Sequence, residues 1–270
     1  MVRENGTDLS FLLQETEAQY REKAKEHLTS HQLADFRKCP ALYLKKKQGL
    51  VKDEDRPAYL LGRAAHTLIL EGRDKLEKEY AFGGPINPKT KAPYGSATKA
   101  YAEWATAQGK PVLTDEQLAL VISLAGGVRA HTGACELLAK GRAEGVIRAE
   151  YGHMPCQARL DWFNPTAGIV DLKTCDDLTW FEADARRFGY AHQMAFYREV
   201  AAKLLGCPVP VHMIAVEKKE PFRCGVWKLA EQTLGYAARE NLAALVRLKA
   251  CAESGVYPTG YEESRLFDFI

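Results

Sequence analysis

The chain contains no pair of cysteines in a C-x-x-C spacing. Its seven cysteines (Cys39, Cys135, Cys156, Cys175, Cys207, Cys224 and Cys251) are odd in number and scattered. That excludes the disulfide framework of small secreted domains and a zinc knuckle, and a reducing, cytoplasmic setting is expected. No run approaches the roughly 20 apolar residues of a membrane-spanning helix, and no N-terminal apolar stretch resembles a signal peptide. No membrane partner is therefore expected. A large charge of one sign is also missing, the formal net charge being only +2 over 270 residues. Any contact with nucleic acid must then come from local basic clusters such as Lys45-Lys46-Lys47 or Arg186-Arg187, not from the molecule as a polycation. There is no internal repeat and no low-complexity segment.

What is present is ample material for a core, with 46% hydrophobic residues. Residues 1–28 read as a charged N-terminal extension with a helical tendency in ETEAQYREKAKEHL. Ser30 is placed as the N-cap of one helix through HQLADFRKCPALYLKKK. A charged loop, KDEDRP, precedes a helix over AYLLGRAAHTLILEG that Gly72 closes. Residues 81–97 are rich in Gly and Pro and form a long loop, followed by helices at about 97–108 and 115–140. Three strand-like runs come next, GVIRAEYG, PCQARLDWF and GIVDLKT, separated by tight turns at Gly152-His153 and NPTAG. Such short connections favour an antiparallel meander. A helical stretch broken at Gly189, two more strands (VHMIAVEK and RCGVWKLA) and a helix over about 230–253 complete the pattern. Trp162 and Trp180 are expected in the core, with stacking on a frayed base as the alternative. The order predicts a mixed α/β domain with helices packed on the sheet. One domain is expected over 29–270: a helical part at 29–140, a sheet core at 144–230, and a C-terminal helix and tail at 231–270.

The chemistry gathers on the strands. Asp171 and Lys173 stand at i and i+2, so a strand points both to one face. Glu150 lies on the first strand and Asp161 near the end of the second, and the meander is expected to bring them within reach. Carboxylates sharing a sheet interior are costly to bury and raise one another's pKa. A cation between them makes the group favourable, and hard oxygen ligands suit magnesium, manganese or calcium. Beside such an ion, Lys173 could hold or help deprotonate a water, or neutralise a developing negative charge. That set suits phosphodiester hydrolysis. The plainer reading is an ion pair on a half-buried sheet, which any D-x-K strand would match.

RLDW followed by GIVDLKT resembles the core of the PD-(D/E)xK nucleases, in the branch that includes RecE and the RecB nuclease domain. GRAAHTLILEG resembles that branch's histidine-bearing helix, HQMAFYREV its Q-x-x-x-Y motif, and SHQLADFRKCPALYLKKK its N-terminal element. The resemblance implies a restriction-endonuclease-like core: a central mixed sheet flanked by helices, with an N-terminal helical elaboration. It implies Asp161 and Asp171 as metal ligands, joined by His66 and the Leu172 carbonyl, with Lys173 as the catalytic lysine and Glu150 as a further acid. Gln193 and Tyr197, sharing one helix face, would support the site or touch DNA, as would Arg186 and Arg63. The implied cofactor is Mg2+, with Mn2+ as the alternative. Two departures stand out. Leu160, not a proline, precedes Asp161. Cys39-Pro40 matches the start of an iron–sulfur signature, but Cys207, Cys224 and Cys251 are too far apart to complete it, so no cluster is expected.

The function implied is 5′-to-3′ exonuclease action on linear double-stranded DNA, leaving 3′ single strands for recombination by annealing. Double-stranded DNA ends, a RecT-like annealing protein and a homo-oligomeric ring are the implied partners, a tetramer ahead of a trimer, in a bacterial or phage setting. Two alternatives stay open: an end- or structure-directed endonuclease or nickase of the same superfamily, and a catalytically silent DNA-binding module.

Overall fold

The structure, a computed structural model, describes residues 9–52 and 57–266. The start of the charged extension and most of the KDEDRP loop lie outside the described residues. The elements run α1 (Glu17–Lys23), α2 (Ser30–Lys38), α3 (Pro40–Lys47), α4 (Pro57–His66), a π-helical turn (Thr67–Glu71), α5 (Arg73–Glu79), β1 (Ala81–Phe82), α6 (Lys99–Ala107), β2 (Val112–Leu113), α7 (Asp115–Ala130) and α8 (Thr132–Leu138). Then come β3 (Arg142–Tyr151), β4 (Met154–Asn164), β5 (Gly168–Cys175), a 3-10 turn (Leu178–Trp180), α9 (Phe181–Arg187), α10 (Tyr190–Leu205), β6 (Val211–Glu217), β7 (Cys224–Lys228) and α11 (Glu231–Ser254).

The main sheet has the order β3-β4-β5-β6-β7. It is antiparallel except for β5–β6, which the α9–α10 crossover makes parallel. Gly152 and His153 both take positive φ, the conformation a two-residue hairpin turn requires, and this fixes the β3–β4 register. At the next turn, Asn164 Oδ1 accepts from the backbone of Thr166 and Ala167. Gly168 is needed there as glycine: its φ is +80°, and a Cβ would sit 2.2 Å from the Pro210 carbonyl oxygen.

One sheet face packs on α10 through Ile147, Leu160, Ile169, Met194, Phe196 and Val200, all buried, with α2 and α11 outside it. The other face packs Val170, Leu172, Ile214 and Val216 on α4, α7 and α8. Each such apolar side chain contributes on the order of 2 kcal/mol by leaving water. Residues 9–28 are continuous with this body. Leu13 bridges Val146, Leu28 bridges Cys156, and Glu15 holds Arg148 through two bonds.

Three local expectations are corrected. Thr29, not Ser30, caps α2, in a reciprocal capping box with Gln32. The helix expected to run on through CPALYLKKK breaks at Cys39, because Pro40 forces the preceding residue into an extended conformation and then starts α3 at its first position. Trp180 is 65% exposed, whereas Trp162 is half-buried against the second core cluster. Among the described residues, no single helix is long and apolar enough to cross a membrane.

Candidate active site

The site forms where two strands part. β4 and β5 are paired only at Trp162–Val170, Phe163–Ile169 and Asn164–Gly168. Beyond that point β4 stays with β3 while β5 stays with β6 as far as Cys175. Asp161 and Asp171 are the first residues past the split, at the mouth of a fork. With β4 no longer paired on that side, the Leu172 N–H is satisfied by a side chain instead: Asp161 Oδ2 accepts from it at 2.8 Å. His66, the last residue of α4, brings Nδ1 to 3.5 Å from the same oxygen and also bonds the Leu172 backbone. The π-helical turn begins immediately after His66, and such turns often accompany functional positions.

Asp171 is 2% exposed. Its Oδ2 lies 2.7 Å from Lys173 Nζ, close enough for an ion pair but without hydrogen-bond alignment, and Oδ1 has no hydrogen-bond partner. Lys173 Nζ also donates to Gln193 Oε1 at 3.2 Å and sits 4.9 Å from the centre of the Tyr190 ring. Gln193 in turn donates to the Tyr197 hydroxyl at 2.9 Å, and Tyr197 also bonds Ser30. The i, i+4 pair on α10 therefore holds the lysine from behind.

The charges do not balance. Burial pushes the Asp171 carboxyl up to about 7, against the pull of Lys173 and with a further push from Asp161. Burial pulls the Lys173 ammonium down, but Asp171 and Asp161 more than offset this and hold it above its ordinary value. Both members of one ion pair thus shift upward, which is the mark of one ammonium answering two carboxylates. The lysine's charge is secure; the aspartate's is incompletely compensated. Burial holds His66 below its ordinary value despite Asp161, so at neutral pH the ring is uncharged.

A third carboxylate belongs here, and it is not the expected one. Glu150 lies opposite Pro155 beside the hairpin turn, its side chain 71% exposed and next to His153. Its assignment to the site is corrected. Glu144 stands across from Asp161, between the flanking pairs Ala143–Trp162 and Gly145–Leu160. Its φ is +55°, strained for a residue with a Cβ. Burial, and then the facing Asp161, push Glu144 up to about 8, with Glu71 of the π-helical turn adding to the rise. Arg159 partly offsets this, holding Glu144 on one side and Glu17 of α1 on the other. The hairpin could have revealed Glu144: counting back from a two-residue turn at Gly152-His153 puts residue 144 opposite 161.

The fork thus brings together His66, Asp161, Asp171, Leu172, Lys173, Gln193 and Tyr197, and adds Arg159, the first residue of RLDW, with Glu144 and Tyr190, which carried no sequence motif. Two expected supporting residues stand apart. Arg186 is exposed beside Glu182, and Arg63, one turn before His66, bonds Tyr80. Among the described residues, no three His, Cys, Asp or Glu side chains converge on one point as a metal cage. The residues nevertheless fit a hard divalent cation. Asp171 offers a buried, unpartnered oxygen, a neutral imidazole is at hand, and the carboxylates outnumber the cations.

Comparison with known proteins agrees with this geometry. The family described as "PDDEXK-like domain of unknown function (DUF3799)" matches residues 29–268. Among solved structures, the crystal structure of a "Putative exonuclease" from Eubacterium rectale superposes with a TM-score of 0.70 at 16% identity, covering 96% of this chain and 97% of that one. At that identity the likeness speaks for the fold. No curated protein matches the sequence.

Proposed function

The chain belongs to the PDDEXK-like family, a nuclease-type fold, and from that premise we propose that it is a magnesium-dependent DNA exonuclease acting on linear double-stranded DNA. The observation that carries the reading is the buried, half-unpartnered Asp171 paired with Lys173 at the fork. Asp161 and Asp171 would hold the ion, with His66 and the Leu172 carbonyl beside them. When bound, a divalent ion supplies a polarised phosphoryl oxygen and a more acidic water. Lys173, kept charged, neutralises charge that develops on the phosphate oxygens and orients the attacking water. Gln193 and Tyr197 fix the lysine's position. Arg159 supplies a second cation on the acid-rich side.

The RecE-like motifs extend the proposal to 5′-to-3′ polarity, a homo-oligomeric ring and a RecT-like annealing partner in the cytoplasm. To test the core reading, purified protein is incubated with linear duplex and with covalently closed circular DNA, in magnesium or in chelator. Loss of the linear DNA alone, dependent on magnesium, supports an exonuclease. Cutting of the circle replaces it with an endonuclease, and binding without turnover with a silent DNA-binding module.

A further inference from the structure

Lys173 is the inner end of a chain of aromatic contacts that leads out of the fork. Its ammonium sits against the Tyr190 ring. That ring lies 5.9 Å from Phe188 and 6.2 Å from the buried Phe181, which is in turn anchored on Trp227 at 4.5 Å. Phe188 is the outer end. It occupies the short link between α9 and α10, is 54% exposed, and carries the Arg187 guanidinium 4.6 Å from its ring centre. Gly189, in the left-handed region at φ +70°, turns the chain sharply there and sets Phe188 and Tyr190 side by side.

Phe188 is thus a large apolar ring held largely in water on the half-buried ring of Tyr190. Cations stand at both ends of this path, Lys173 within the fork and Arg187 at the surface. The acids on α9 are engaged locally: Glu182 with Arg186 and Trp227, Asp184 with Arg187. Alternation of flat apolar rings with cationic groups is the arrangement that takes an unpaired nucleic-acid strand, bases on the rings and phosphates on the cations.

We propose that Phe188, backed by Tyr190, is a stacking platform for an unpaired base of the substrate strand, so that the enzyme engages frayed or single-stranded ends. The inference rests on the nuclease reading and gives it a substrate form. Binding of a fluorescently labelled oligothymidylate is measured by anisotropy in chelator for the wild type, Phe188→Ala and Phe188→Trp. Magnesium-dependent hydrolysis of blunt and frayed-end duplexes is followed in parallel. Phe188→Ala should weaken oligothymidylate binding at least about fivefold, and Phe188→Trp should restore it. On frayed ends, Phe188→Ala should raise KM and leave kcat unchanged. Wild-type hydrolysis with undiminished binding by Phe188→Ala overturns the platform and leaves the nuclease standing. Phe188-dependent binding with no hydrolysis by the wild type keeps the platform and overturns the nuclease. Absence of both overturns both.

Discussion

Two groups of acids in this molecule face opposite ways energetically. Near the end of β6, Glu217 is fully buried, yet Arg223 grips both of its oxygens at 2.7 and 2.9 Å, and Lys219 stands at 3.5 Å. Asp177 shares the same two cations. Hydrogen bonding to Arg223 holds Glu217 below its ordinary value, and the Thr179 backbone followed by Lys219 does the same for Asp177. At the fork, Asp171 is also buried and Glu144 half-buried, but their carboxyls are pushed up. Glu217 and Asp171 are alike in burial; what differs is how many cations of the chain grip the acid. A matched set is architecture. An unmatched set at a split in the sheet is what the proposed cation would complete.

Substitutions can break or sharpen that contrast. The largest effect is expected at Lys173. Lys173→Ala should lower the rate of DNA hydrolysis by at least about 10³-fold, measured as acid-soluble nucleotide released from linear duplex. Gln193→Ala leaves the lysine charged but unsteadied, and kcat should fall by about tenfold with KM unchanged. A smaller effect tests the unmatched charge itself. In chelator, Glu144→Gln should stabilise the fold by about 1 kcal/mol in urea denaturation at neutral pH, because a carboxyl that must take up a proton to be buried is replaced by a neutral amide. Glu150→Gln, at the solvent end of the same strand, should change stability by less than about 0.5 kcal/mol. The smallest and most diffuse effect concerns pH at the matched set. Carboxyls depressed in the folded state stabilise it above their unfolded pKa of about 4, and that stability is lost as pH falls through the folded values. In thermal melts, the stability lost on Arg223→Ala should therefore be largest at about pH 6 and shrink towards about pH 3 as the matched carboxyls protonate.

Much of this was legible before the structure. Alternation along GIVDLKT put Asp171 and Lys173 on one side, the Gly152-His153 dipeptide announced the hairpin, and the spacing of Gln193 and Tyr197 gave one helix face. Less legible was anything set by where pairing stops. The sequence of β4 and β5 does not announce that their ladder ends after Trp162–Val170, yet that ending opens the fork. Glu150 and Glu144 are at even spacing on one strand, and only hairpin register separates the buried acid from the exposed one. The helix breaks at Cys39 and His131 rest on local chemistry. Pro40 bars a continuous helix, and His131 accepts from Ala134 N to cap a new one. Tyr190 joins the site through tertiary geometry alone.

The most direct test sets one buried acid from each group side by side. Magnesium-dependent hydrolysis of linear duplex DNA is measured for Asp171→Asn and Glu217→Gln, each normalised to the folded fraction by circular dichroism. The account predicts that Asp171→Asn folds and loses hydrolysis, while Glu217→Gln loses stability and keeps its rate per folded molecule. A folded Asp171→Asn protein that hydrolyses DNA at the wild-type rate would contradict it.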